Sequence, residues 1–105
     1  MHQALRKEFE NLKALSQDKD EPLALIETKM ENAVFISNGK KLICLVIEET
    51  KIHNMLSCFK VNLKKWEWAE NEGFKIENGI PKKLANEILV KFDTPSEYLD
   101  YLNLL

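Results

Sequence analysis

The best-placed chemistry-bearing residues of this chain stand at the end of an apolar run. Leu42 to Ile47, LICLVI, is followed at once by Glu48, Glu49, Thr50 and Lys51. On a strand, side chains at alternate positions point the same way, so Glu49 and Lys51 converge on one side. A carboxylate in that place would hold Mg²⁺. A lysine beside it would steady an attacking water or the charge developing on a phosphate. Glu31, just ahead of the preceding apolar run, AVFIS, is the second carboxylate of the set.

An apolar strand ending in Glu-x-Lys resembles the catalytic strand of PD-(D/E)xK nucleases. The expected order over residues 3–77 (helix, three strands, helix, strand) is similar to that family's core. The resemblance implies Mg²⁺-dependent cleavage of nucleic acid, with Glu31, Glu49 and Lys51 as the catalytic set. The chain departs from the family pattern where an Asp after Pro is normal and Glu31-Asn32 stands instead. Glu27-Thr28-Lys29 repeats the triplet, so the motif by itself is short. The plainer reading makes Glu48 and Glu49 solvated residues, favourable near the N-terminus of a following helix.

Residues 52–72, IHNMLSCFKVNLKKWEWAENE, carry a second set. They resemble a helix-turn-helix, with Ile52, Leu56 and Cys58 as buried positions of the first helix and turn. Leu63 and Trp66 would then be buried in a recognition helix that presents Asn62, Lys64 and Lys65 to DNA. The family's small residue is His53 here and its turn glycine is Ser57. Trp66 and Trp68, interleaved with Lys60, Lys64 and Lys65, also have the types that stack on single-stranded bases. Two residues apart on a helix, the tryptophans diverge. One then belongs to the core and the other, Trp68, to a protein interface, where Trp is enriched.

Other chemistries lack their residues. His2, Cys44, His53 and Cys58 do not have the paired spacings of zinc sites, and neither a Gly-rich phosphate loop nor a nucleophile motif occurs. No metal and no cofactor is expected. The two cysteines read as reduced core residues, Cys44 on a strand and Cys58 on a helix.

The elements that would position these residues follow from periodicity. Leu5, Phe9 and Leu12 recur at helical spacing and predict a helix over 3–15. Leu23 to Lys29 reads as a strand leading into a hairpin. Ala33 to Ile47 reads as that hairpin, because Asn38-Gly39 between apolar runs favours a two-residue turn. That turn places Ile36 opposite Lys41 and Val34 opposite Ile43. LICLVI is apolar on both faces, so both must be covered. Ile52, Met55, Leu56, Phe59, Leu63 and Trp66 form one helical stripe, with Thr50 as N-cap and Gly73 past the end. One helix over 50–72 is the simplest reading. Phe59, Val61 and Leu63 also alternate as a strand would. Phe74-Lys75-Ile76 predicts a short strand. Pro81 opens a helix bearing Leu84, Ile88, Leu89 and Phe92. Thr94-Pro95-Ser96-Glu97 is a capping box for a last helix.

The expected fold is α+β: a small antiparallel sheet centred on the 33–47 hairpin, flanked by an N-terminal helix, a long 50–72 helix and two C-terminal helices. At 105 residues, 45% hydrophobic and 30% charged, the chain reads as one domain over 1–105. A net charge of −2 shows no basic field of the kind nucleic-acid binders carry. The charged N-terminus is unlike a signal peptide, and no apolar run approaches the ~20 residues of a membrane span. A cytoplasmic location and no membrane partner are expected. Trp68, Tyr98, Tyr101, Leu104 and Leu105 supply apolar area beyond what a small monomer needs to expose. The sequence therefore points to a small non-enzymatic protein-binding module, chaperone-, immunity- or inhibitor-like. Its partner would be another protein or a second copy of itself. A nucleic-acid-binding or nuclease domain is the alternative.

Overall fold

The computed structural model describes residues 1–17, 22–27, 31–65 and 88–105. Helix α1, Gln3–Leu15, forms where the sequence periodicity places it. Leu5, Phe9 and Leu12 face the core, and His2 caps the start by accepting the Ala4 N–H on Nδ1 at 3.0 Å. Strand β1 is Ala24–Glu27, within the predicted Leu23–Lys29, of which residues 28 and 29 lie outside the described set. Strands β2, Ala33–Ser37, and β3, Leu42–Glu49, make the expected hairpin.

Its register differs by two residues from the prediction. Ile36 stands opposite Ile43 and Val34 opposite Leu45. The loop runs from Asn38 to Lys41 because Asn38 Oδ1 accepts the N–H groups of Lys40, at 3.0 Å, and Lys41, at 2.8 Å. Gly39 takes a φ of 91°. A shift of two leaves every side chain on its predicted face, since the strand period is two.

The larger correction concerns the first half of the helix expected over 50–72; residues 63–65 are helical as expected. Asn54–Val61 is not helical; it is strand β4, paired along β3 from Glu49↔Asn54 to Ile43↔Lys60. Thr50, expected to cap a helix, closes a hairpin turn instead. Its Oγ1 accepts the His53 N–H at 3.1 Å and donates to the His53 carbonyl at 2.6 Å. The same short hydroxyl serves either purpose. What decides is β3, whose second side needs a ladder partner once β2 has taken the first. The alternation of Phe59 and Val61 was the strand signal. Residues 66–72 of the expected helix, and the 74–76 strand, lie outside the described set.

Leu89–Lys91, placed by sequence in the helix opened by Pro81, is strand β5 and pairs with Phe59–Val61. Residues 81–87 lie outside the described set. Helix α2, Pro95–Tyr101, starts at the predicted Pro. Its box works from one side: the Thr94 side chain makes no capping bond, while Glu97 Oε2 reaches back to the Asp93 N–H at 2.9 Å.

The five strands form one open antiparallel sheet in chain order, β1-β2-β3-β4-β5. Val34, Ile36, Ile43, Leu45, Ile47 and Cys58 share a face and pack with Leu5, Phe9 and Leu12 of α1 and with Tyr98, Leu102 and Leu104 of the C-terminal segment. Phe35, Leu42, Cys44 and Val61 form a second cluster with Ile88 on the other face. LICLVI is thus buried on both sides, as its composition required. Each buried aliphatic side chain of this kind contributes about 1.5–3 kcal/mol. Among the described residues no helix is long and apolar enough to cross a membrane.

Candidate functional site

β5 is shorter than its neighbour β4. It pairs with Phe59–Val61, and the ladder ends where the Phe92 N–H donates to the Cys58 carbonyl at 2.9 Å. Beyond Phe92 the chain turns through Asp93 and Thr94 into α2. Asn54 to Ser57 therefore form an edge that β5 does not cover. Main-chain groups alternate sides along an antiparallel strand. Cys58 points its carbonyl toward β5, so Leu56 and Asn54 point their N–H and C=O the same way, outward.

A groove of about 560 Å³ lies against this edge. One wall is the stripe Glu8, Asn11, Leu12 and Leu15 of α1, residues three and four apart on a single helix face. The other wall is Phe92, Thr94 and Pro95 with Tyr98 and Leu99 of α2. Met55, Leu56, Ser57 and Cys58 lie between them. Leu15 is 51% exposed and Leu56 is 37% exposed, so the groove carries apolar surface open to solvent. Its size is that of sites that take small ligands or short segments, roughly 300–1,000 Å³. The Tyr98 hydroxyl donates to Glu8 Oε1 at 3.0 Å and ties the two walls together. Burial, and then the Glu8 carboxylate, push the Tyr98 hydroxyl pKa up.

Of the residues singled out for an interface, Tyr98 and Leu104 are buried in the core and Tyr101 is half-buried. Tyr101 is flanked by Lys41 of the β2–β3 loop and Lys60 of β4, with Lys41 Nζ 4.6 Å and Lys60 Nζ 5.6 Å from its ring centre. Leu105 is 75% exposed. Trp68 lies outside the described residues.

The residues of the nuclease reading lie at one end of the sheet, and the two carboxylates each have a partner of their own. Glu31 Oε2 is 3.0 Å from the Met1 amino group. Glu49 Oε1 accepts from His2 Nε2 at 2.7 Å. Because His2 Nδ1 accepts the Ala4 N–H, its proton sits on Nε2. Lys51 is exposed in the Thr50–His53 turn, past the end of β3. Among the described residues no group of three or more His, Cys, Asp or Glu side chains is placed to hold a metal ion.

The nucleic-acid set lies just past β4, where residues 63–65 are helical. Asn62 Oδ1 accepts the Lys65 N–H at 3.2 Å, and Asn62, Lys64 and Lys65 are exposed. With β4 a strand, they are not presented by a helix-turn-helix. Cys44 and Cys58 are both free and buried. They sit on neighbouring strands but on opposite faces, since Cys58 stands opposite Leu45, not Cys44.

Sequence reasoning missed Leu15, Leu56, Pro95 and Leu99 as site residues. A signal existed: the Leu12-Leu15 stripe runs past the core positions of α1, and Met55-Leu56 puts adjacent apolar residues on opposite faces of one strand. No protein-family model, curated protein or solved structure matches the chain.

Proposed function

We propose that this chain is a non-enzymatic protein-binding module that receives a segment of a partner polypeptide in the groove between α1 and α2. The observation that carries the reading is the open apolar groove lying against a stretch of β4 that, among the described residues, no strand pairs with on its outer side. Buried apolar area is the main source of affinity between proteins, and exposed apolar surface concentrated in a concave site is where partners dock. The sequence-level candidates Tyr98 and Leu104 take a supporting role in this reading: they hold α2 and the C-terminal turn in place as a wall. The binding contacts pass to Leu15, Leu56 and Leu99.

The test is to pan a displayed library of protein fragments on the full chain and on its Leu15→Lys variant. Fragments that bind the parent and lose about tenfold or more with Leu15→Lys are the expected result. Binders indifferent to Leu15→Lys, or none, would overturn the groove reading. In parallel, light scattering on a size-exclusion column with Mg²⁺ and a mixed DNA/RNA oligonucleotide pool separates the alternatives. Cleavage or a complex sensitive to Glu49→Ala or to Lys64→Glu/Lys65→Glu would put nucleic acid first. A dimer dispersed by Leu15→Lys would make the partner a second copy.

A further inference from the structure

The groove has a polar feature that an apolar pocket for a side chain or helix does not need. Along its length runs a row of main-chain groups with a fixed spacing and direction. Leu56 and Asn54 each aim an N–H and a C=O into the lane that β5 leaves when it turns away at Phe92. Asn54, Met55 and Leu56 are exposed, and among the described residues no strand pairs with this side of them. The lane from Ser57 to Asn54 is about 13 Å long at about 3.3 Å per residue. Only an extended backbone matches alternating donors and acceptors at that repeat. A helix satisfies its own main chain and would leave these groups unpaired.

We infer that the partner segment binds by strand addition, as a short extended stretch continuing the line of β5 and antiparallel to β4. This rests on the protein-binding reading above and names its mode. Direction follows from the sheet, in which every neighbouring pair is antiparallel. A residue opposite Leu56 and a second opposite Asn54 exchange main-chain hydrogen bonds with β4. Their side chains point to the helix-bearing face of the sheet, because residues paired across a ladder share a face. The groove on that face, with Leu12, Leu15 and Leu99 beside Leu56, makes the residue opposite Leu56 the apolar anchor, and a second apolar residue opposite Asn54 would extend along the same face. The residue between them points to the opposite face and is free in identity. The N-terminal end of the segment abuts Asp93 and the Glu8 wall. Glu8 offers Oε2 there while Oε1 is held by Tyr98. The lining there holds Glu8 and Asp93 against one cation, Lys91, and this acidic balance favours a Lys or Arg preceding the first apolar residue. The recognised class is therefore an extended basic-apolar-x-apolar segment.

A displayed library of short random peptides, panned on the full chain, supplies the probe. The expected consensus is that pattern, lost on the Leu15→Lys chain. The selected peptide is then synthesised with single N-methyl groups moved along it, which changes no residue of the protein. Methylation opposite Leu56 or Asn54 should weaken binding about tenfold or more, while methylation between them has little effect. In the complex, the Leu56 amide should gain protection from hydrogen exchange. Peptides that bind in a Leu15-dependent way but tolerate N-methylation evenly, or are helical, would sink strand addition and leave the groove reading standing. A library that returns no Leu15-dependent peptide would overturn the strand mode, and whether folded fragments still bind decides the groove reading separately.

Discussion

The Tyr98 hydroxyl and Glu8 Oε1, ninety residues apart in sequence, meet at 3.0 Å and clamp α2 against α1. The donor belongs to a ring that is 7% exposed and packs edge-on to Phe92, with centroids 6.2 Å apart. The acceptor is a carboxylate, so the bond is charge-assisted and stronger than a neutral one. Tyr98→Phe keeps the ring and deletes the bond. It should lower stability by about 1.5–3 kcal/mol, read from the urea midpoint. Glu8→Gln keeps an acceptor without the charge and should cost less. A double-mutant cycle that gave no coupling between the two positions would show that the contact does not hold the walls together.

Stability should fall at alkaline pH, and the groups responsible are identifiable. Burial pushes the Cys44 thiol from 9.0 up to about 12. Burial raises Cys58 as well, with smaller contributions from Cys44 and Glu8. Tyr98 is raised for the reasons given above. In each case the folded state holds its proton more tightly than the unfolded chain. The stabilisation is complete below the unfolded thiol value near 9. It is lost as pH rises from there through the folded values, because the unfolded state then binds fewer protons. Urea midpoints should be level in pH from about 7 to 9 on account of these groups and drop above that range. Cys44→Val, which keeps the volume and removes the titration, should flatten part of the drop. Both native thiols should also react with thiol reagents far more slowly than in urea.

Much of the fold was legible because its signals are local. The α1 stripe of Leu5, Phe9 and Leu12, the place of the hairpin at Asn38-Gly39 (though not its register) and the Pro95 start are each set by a few neighbouring residues. The two-sided burial of LICLVI also followed from composition. The strand at Asn54–Val61 was legible only in the alternation of Phe59 and Val61, because Ile52, Met55, Leu56, Phe59 and Leu63 also fit a helical stripe and the strand is imposed from outside by β3. A non-local ladder outweighs a local period. The site was hidden for the same reason: an edge is a relation between strands of unequal length, and β4 outruns β5 by residues that look ordinary one at a time. The C-terminal residues divide: Tyr98 and Leu104 are buried in the core, Tyr101 is half-buried and Leu105 is exposed, a partition that depends on how the chain turns after α2 and not on residue type.

The Thr50–His53 turn should be a sensitive point for β4, since it replaces what the local sequence would form. Thr50 Oγ1 makes hydrogen bonds with both the N–H and the carbonyl of His53, and the Thr50 N–H donates to that same carbonyl at 3.0 Å. Thr50→Ala removes the side-chain bonds and keeps the backbone one. The turn is exposed, so water can replace part of the loss, and a cost of about 0.5–1.5 kcal/mol is expected. Thr50→Asn, which can make the same local turn, should recover most of it. Amide exchange at Met55 and Ser57, the inward-bonded positions of the open half of β4, should quicken in Thr50→Ala and not at Val61.

The end of α2 supplies the last prediction, and it bears on the groove because Leu99 is a wall residue. Asn103 has a φ of 58°, the left-handed region that L-residues with a Cβ avoid. It holds that geometry because the Asn103 N–H donates to the Asp100 carbonyl at 3.0 Å and the Leu104 N–H to the Leu99 carbonyl at 2.8 Å. These bonds satisfy the last helical carbonyls and fold Leu104 under Leu99, a Schellman arrangement with Asn at the left-handed position. Asn103→Gly removes the steric cost and should leave stability level or raise it by up to about 1 kcal/mol. Asn103→Val places a β-branched residue in the disfavoured region and should lower stability by about 1–2 kcal/mol. If the arrangement also sets the wall, Asn103→Val should weaken a Leu15-dependent peptide and Asn103→Gly should not. Equal stability for the Gly and Val variants would mean that the C-terminal turn does not hold Leu104 in the core.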